Sequence, residues 1–216
     1  TLFHVDGIQG YGKYKILPEK TGIDLFSASA HKIHGPKGTG FLYVKEGTKI
    51  SPILFGGGQQ RRMRSGTENV PAIAGMGEAV RVIYENHSEK REQLYQLKQR
   101  MIQKLSEIEG VTVNGIQGQN VTETAPHIIS ASFAGVKSEV MLNSLDQKGV
   151  YVSSGSACSS NHPELSGTLK AVGVANELLD STLRFSFSLY TTPEEVDYAM
   201  EMVKEILPVL RRFIKR

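Results

Sequence analysis

Apolar residues recur along this chain at two different periods, and the change from one to the other divides it. The runs Leu2–Val5, Asp24–Ala28 and Gly40–Val44 are short and β-prone and end in small or polar residues, which predicts sheet strands with functional loops at their ends. From Pro71 to about Ile108 the spacing becomes helical: Ile73, Met76, Val80 and Ile83, then Leu94, Leu97, Met101 and Leu105, with charges between them and Gly110 as a stop. This predicts a long helix, interrupted near Asn86-His87. Beyond Gly110 the texture changes again, to a short strand Val111–Val113, an alternating run from His127 to Phe133, a helix from Ser138 to about Gln147 and a strand near Leu183 to Phe187. A final helix has Thr192 as N-cap, Pro193 in its first turn, Glu194 and Glu195 at its positive dipole end, and basic residues at its finish.

The expected organisation is α/β: part of a large α/β domain over residues 1–79, a connecting long helix over 80–110, and a small α+β unit over 111–216. No internal repeat is visible. Between Ser153 and Gly167 the chain is small and polar, unable to pack a core, and is expected to form a mobile loop; it holds the sole cysteine, Cys158. With 216 residues the chain can bury a real core as one domain or two.

Composition narrows the function classes. No apolar run is long enough to cross a bilayer, so no membrane partner is expected. The first residues, Thr1 to Asp6, lack an initiator Met, a basic region and a long apolar stretch; no secretory signal is read there, and the chain is expected to start within a strand. A net charge of +3 with dispersed basic residues is too small and too even for a direct nucleic-acid footprint. One cysteine excludes an internal disulfide framework and fits a reducing compartment, for which the cytoplasm is the expectation. His127 and His162 have nothing at ligand spacing beside them, so no metal site is expected.

Several residues carry candidate chemistry. Ser29-Ala30-His31-Lys32 follows a strand and precedes the glycine-rich Gly35-Pro36-Lys37-Gly38-Thr39-Gly40, which delivers a lysine at a sheet end into a loop that a ligand can approach. A Schiff-base lysine belongs in such a place; taken alone, a lysine in a Gly-Pro loop is more often a solvated turn residue. Asp6 at the end of the first strand supplies the carboxylate that a pyridine nitrogen needs, and Gln9 three residues on is a further donor. Arg184 lies in Leu-Arg-Phe-Ser, a strand pattern that points it away from its apolar neighbours. Arg61, Arg62 and Arg64 read either as a solvated face or as anchors of an anion-binding loop.

Five blocks, in order and spanning nearly the whole chain, resemble the cysteine desulfurases of the NifS/IscS kind, pyridoxal phosphate-dependent transferases of fold type I. The blocks are His4-Val-Asp6-Gly-Ile-Gln9, Ser29-Ala-His31-Lys32-Ile-His-Gly-Pro-Lys-Gly, Gly56-Gly57-Gly58-Gln-Gln-Arg-Arg-Met-Arg64-Ser65-Gly66-Thr67, Ser153-Ser154-Gly155-Ser156-Ala157-Cys158 and Leu183-Arg184-Phe185-Ser186. The resemblance implies that Lys32 carries the cofactor and that Asp6 faces its pyridine nitrogen. It makes Gln9 the donor to the ring oxygen, and Ser29 and His31 ligands of the phosphate. Thr67 would reach the phosphate of a neighbouring subunit, which implies a homodimer. Arg184 would clamp the carboxylate of L-cysteine, and Cys158 would take its sulfur as a persulfide, releasing L-alanine and passing the sulfur to an acceptor such as an iron–sulfur scaffold or a tRNA-thiolation protein. Selenocysteine lyase is the neighbouring activity, and a non-catalytic module docking a sulfur acceptor is the reading from another class. Family members carry a further amino-terminal half before the aspartate block. Without it this chain is expected to leave strand edges unpaired, to bind pyridoxal phosphate poorly and to show little activity.

Overall fold

The computed structural model of the chain describes residues 1–115, 120–154 and 166–214, which form two compact units, Thr1–Ser88 and Glu89–Arg216. In the first unit, strand β1 (His4–Asp6) pairs in parallel with β2 (Leu25–Ser29), which pairs antiparallel with β3 (Gly40–Val44). The β1–β2 connection contains a single helical turn, α1 (Pro18–Thr21), with Pro18 in its first turn and Gly22 closing it in the left-handed region at φ 71°. Alternation along β2 sends Phe26 and Ala28 to one face, where they are buried with Ile23 against Val5, Tyr11, Ile16 and Tyr43. Leu25, Ser27 and Ser29 therefore fall on the other face, with His4 beside Leu25 and Asp6 beside Ser27 in register.

The predicted long helix is two helices. The first, α2 (Val70–Tyr84), is capped by Asn69, whose Oδ1 accepts from Ala72 N at 3.2 Å. It ends where Asn86 takes φ 50°, a left-handed conformation that asparagine tolerates, and α3 (His87–Ser106) begins directly after.

In the second unit, β4 (Val111–Val113), β5 (Ile128–Phe133), β6 (Ser153–Ser154) and β7 (Thr182–Ser186) form an antiparallel sheet in the order β4-β5-β7-β6. Its apolar face carries Ile129, Ala131, Phe133, Leu183 and Phe185, packed with residues of α3, α4 (Ser138–Asp146) and α6 (Pro193–Ile214) such as Met101, Met141 and Val203. Helix α6 opens with a capping box: Glu195 N donates to Thr192 Oγ1 at 3.2 Å while Thr192 N donates to Glu195 Oε2 at 2.9 Å. Arg100 grips Asp197 with two nitrogens, at 2.7 and 2.5 Å, and Lys104 adds a third contact, so the Asp197 carboxyl is held well below the usual carboxylate range, chiefly by the Arg100 bonds. Ser153 and Ser154, expected in the polar loop, instead make a short strand on β7, and Ser166 caps a last short helix, α5 (Gly167–Ala171). Backbone pairing to β7 satisfies those two residues without any apolar side chain, which is why patterning gave no sign of them. Among the described residues no helix is long and apolar enough to cross a membrane.

Candidate active site

The lysine turn is anchored by burying its two apolar residues. Ala30–Ile33 is a 3₁₀ turn leaving the end of β2; Ala30 and Ile33 are fully buried while His31 and Lys32 are exposed. Gly12 lies against this turn so closely that a Cβ there would meet Ile83 Cδ1 at 2.5 Å and Ile33 Cγ2 at 2.8 Å, and its own φ of +77° suits glycine. Gly35 is tight for the same reason: a Cβ would meet Ala30 Cβ at 2.9 Å and Ala79 Cβ at 3.3 Å. The turn is thus wedged against α2, and Lys32 projects from a rigid base.

Asp6 reaches the same sheet edge by a different strand. Because β1 and β2 run parallel with Asp6 opposite Ser27, the residues after both strands, Gly7 to Gln9 and Ala30 to Lys32, emerge at one carboxyl edge, the place where open α/β sheets bind ligands. Asp6 Oδ1 accepts from Ile8 N at 3.1 Å, which fixes the carboxylate in a tight turn and leaves its second oxygen without a partner among the described residues. His4 Nε2 lies 3.4 Å from Ser27 Oγ on the same face. Below the turn, a Cβ at Gly7 would lie 1.9 Å from the Phe26 ring, so the backbone rests directly on the core.

A charged group lies behind this edge. Lys13 is 6% exposed, and burial lowers its pKa; His34 is lowered too, first by burial and then by the positive charge of Lys13. Tyr84 OH accepts from Gly12 N at 3.3 Å, and His87 Nε2 lies 3.2 Å from Gly12 O, so both sides of the Gly12 peptide are held. Gln9 is exposed in the turn after Asp6, Ser29 is half-buried at the end of β2, and Thr67 is exposed ahead of α2. The intervening Gln60, Arg61 and Arg62 all have positive φ, 47°, 57° and 66°, three consecutive non-glycine residues in the left-handed region.

The arginine belongs to the second unit. Leu183 and Phe185 are buried on the apolar face of β7, and Arg184 points to the opposite, polar face. Its Nη2 donates to Ser153 Oγ at 3.3 Å, and its buried Nε has no hydrogen-bond partner among the described residues. Register sets Ser130 of β5 opposite Arg184 on one side and Ser153 of β6 opposite it on the other. Asn114 and Ser130, which sequence reading did not single out, complete this row. The alternation of Ser130 and Ser132 with Ile129, Ala131 and Phe133 was the available signal, since it already put two hydroxyls on the face away from the core. Cys158 lies outside the described residues, as does His162. No group of three or more metal-ligating side chains occurs among the described residues.

Comparison with known proteins agrees with this architecture. The family model for aminotransferase class V matches residues 1–199. The chain is 40% identical over 210 residues to the cysteine desulfurase IscS of Dictyoglomus turgidum, a match covering 97% of this chain and 52% of that protein. It is 44% identical over 212 residues to the IscS of Pseudomonas putida, covering 97% and 51%. Among solved structures, a NifS-like protein superposes with a TM-score of 0.86 at 35% identity, over 97% of this chain and 53% of that one. The chain spans about half the length of the curated relatives it matches. On the match over residues 1–199 and the shared fold, the chain belongs to the class-V aminotransferase family.

Proposed function

We propose that this chain carries the cofactor lysine, the substrate-binding arginine and the sulfur-accepting cysteine of a pyridoxal phosphate-dependent cysteine desulfurase. The observation that carries the reading is the common carboxyl edge at which Asp6 and the Lys32 turn emerge from adjacent parallel strands. The donor set there fits the cofactor: a carboxylate with one oxygen uncommitted, an exposed amine on a wedged turn, and a hydroxyl and an imidazole at Ser29 and His31 for a phosphate. Pyridoxal phosphate, when bound, supplies an electron sink for the pair released next to its attachment point.

The chain's own residues do the rest. Asp6, held by Ile8 N, offers its second oxygen to a ring N–H, and Gln9 offers an amide donor to the ring oxygen. Ser29 and His31 bind phosphate, with Thr67 reaching that of a neighbouring subunit in a homodimer. Arg184 takes the carboxylate of L-cysteine with its guanidinium, whose Nη2 is held by Ser153. Cys158, as thiolate, forms a sulfur–sulfur bond to the substrate's sulfur while the substrate's carbon–sulfur bond breaks; the electron pair left on carbon takes a proton, giving L-alanine. The persulfide then serves an iron–sulfur scaffold or a tRNA-thiolation protein, in a cytoplasmic, reducing setting that suits a lone thiol. A large α/β domain over residues 1–79, a connecting segment over 80–110 made of the end of α2 and all of α3, and a small α+β unit over 111–216 are the corresponding division of labour.

The test is an absorbance titration with pyridoxal phosphate, followed by sulfide release from L-cysteine, for this chain by itself and mixed with a polypeptide supplying the amino-terminal half of its relatives. Weak uptake and little turnover are expected for the chain by itself, and both rise in the mixture. Lys32→Ala abolishes the new absorbance; Cys158→Ala keeps it and abolishes persulfide and sulfide. A mixture that gains no absorbance, or a Lys32→Ala variant that gains it equally, overturns the assignment.

A further inference from the structure

A chain of side-chain hydrogen bonds crosses the polar face of the four-stranded sheet, and its direction can be worked out. Thr182 Oγ1 donates to Leu178 O at 2.8 Å, which commits its one hydrogen. The 2.7 Å contact between Ser132 Oγ and Thr182 Oγ1 must then use the hydrogen of Ser132. Ser132 therefore accepts from Asn114, whose Nδ2 lies 2.9 Å away, and this fixes the amide with its nitrogen toward the sheet. The second hydrogen of that amide goes to Ser130 Oγ at 3.1 Å. Ser130 is left with its own hydroxyl hydrogen, for which no acceptor exists among the described residues.

That hydrogen sits beside the arginine. Asn114 N donates to Ser130 O at 2.8 Å, and register then sets Ser130 opposite Arg184 and Arg184 opposite Ser153, so Asn114, Ser130, Arg184 and Ser153 form one transverse row over all four strands. Directly opposed residues in antiparallel strands share a face, with Cβ atoms about 4.5–5.5 Å apart. Among the donors of this row with no acceptor among the described residues are the Ser130 hydroxyl and the buried Nε of Arg184. Buried donors such as this Nε are nearly always paired, and a planar anion with two oxygens answers it together with the partly buried Ser130 hydroxyl.

We propose that Ser130, oriented by Asn114, is a second donor to the carboxylate that Arg184 takes. This rests on the reading of Arg184 as the carboxylate-binding residue, and it makes Asn114 a positioning residue for the same ligand. One oxygen of the carboxylate is held by the guanidinium and the other by the hydroxyl, so the pair selects a carboxylate over a single-atom anion.

The probe is L-alanine labelled with ¹³C at its carboxylate, titrated into the whole chain and followed by the carboxylate resonance. Saturable binding is expected, lost in Arg184→Gln, weakened about tenfold in Ser130→Ala as for one hydrogen bond to a charged group, and restored in Ser130→Thr, which keeps the hydroxyl. Chloride should compete equally well in the unsubstituted and Ser130→Ala chains. Should the alanine variant not fold, Ser130→Cys replaces the strong donor with a weak one at similar shape. Loss in Arg184→Gln with Ser130→Ala and Ser130→Cys within twofold of the unsubstituted chain overturns the role of Ser130 and leaves that of Arg184 standing. Binding unchanged in Arg184→Gln, or none in the unsubstituted chain, overturns both.

Discussion

A methyl group added at Gly7 would land 1.9 Å from the Phe26 ring, and Phe26, 2% exposed, has nowhere to go. The turn that carries Asp6 and Gln9 therefore depends on the absence of a side chain one residue past the carboxylate. Gly7→Ala is expected to cost about 1–3 kcal/mol of stability, the range for overpacking a filled core, read from urea unfolding. It should also lower the uptake of pyridoxal phosphate by displacing Asp6; full stability would show that the ring can yield. The composition of Asp6-Gly7 pointed to a turn, but the reason for the glycine, an aromatic ring in the neighbouring strand β2, is a long-range contact that no local pattern contains. Lys32 shows the converse. Its place after a strand and before Gly-Pro was legible, because the turn is local, whereas the wedging of Ala30 and Ile33 against α2 needed the fold.

Among the elements, α3 holds the least expected residue. Lys98 is 2% exposed, and its Nζ donates to Thr124 Oγ1 at 2.7 Å and to Ala125 O at 2.8 Å, while Tyr95 one turn earlier donates to Thr122 O and Thr124 O. Two side chains on one helix face thus pin the segment that leads into β5. Burial lowers the Lys98 pKa to about 8. Above that value, up to the ordinary lysine value of 10.5, the folded chain binds fewer protons than the unfolded one, so the contribution of Lys98 to stability rises with pH across this window. Unfolding free energies measured from pH 7 to 10 should rise more steeply for the unsubstituted chain than for Lys98→Met; parallel curves would refute the assignment. In the sequence Lys98 looked like one of the interleaved charges of an amphipathic helix, since nothing marks a lysine that folds its head inward onto carbonyls. The break after Tyr84 was legible because Asn86 carries a local conformational preference. The two-residue β6 was not, because its pairing with β7 is supplied by backbone.

At the scale of the whole molecule, the change of texture after Gly110 corresponds to a sheet of its own, with β4 starting at Val111. Each unit is explicable by its own core, but the first leaves apolar groups outside: Leu2 and Phe3 are 56% and 53% exposed, and Ile53 and Phe55 are 87% and 82% exposed. Strand β1 also ends its sheet with no outer neighbour among the described residues. Open edges beside exposed apolar residues favour association. Sedimentation velocity is expected to show a mean coefficient that climbs with protein concentration, reduced by Phe3→Lys; a constant monomer value at all concentrations would exclude this. The hydrogen-bonded chain on the second unit's sheet belongs to the same scale, because it gives that face a polarity in the sense of a one-way street. Each hydroxyl can pass its hydrogen in a single direction, so Leu178 O, at one end, dictates where the hydrogen of Ser130 is left at the other. Valine in place of Thr182 would match its shape and remove that instruction. Asn114 would then be free to turn its oxygen inward, both serines would donate to it, and a residue that touches no ligand would have silenced a donor on the neighbouring strand.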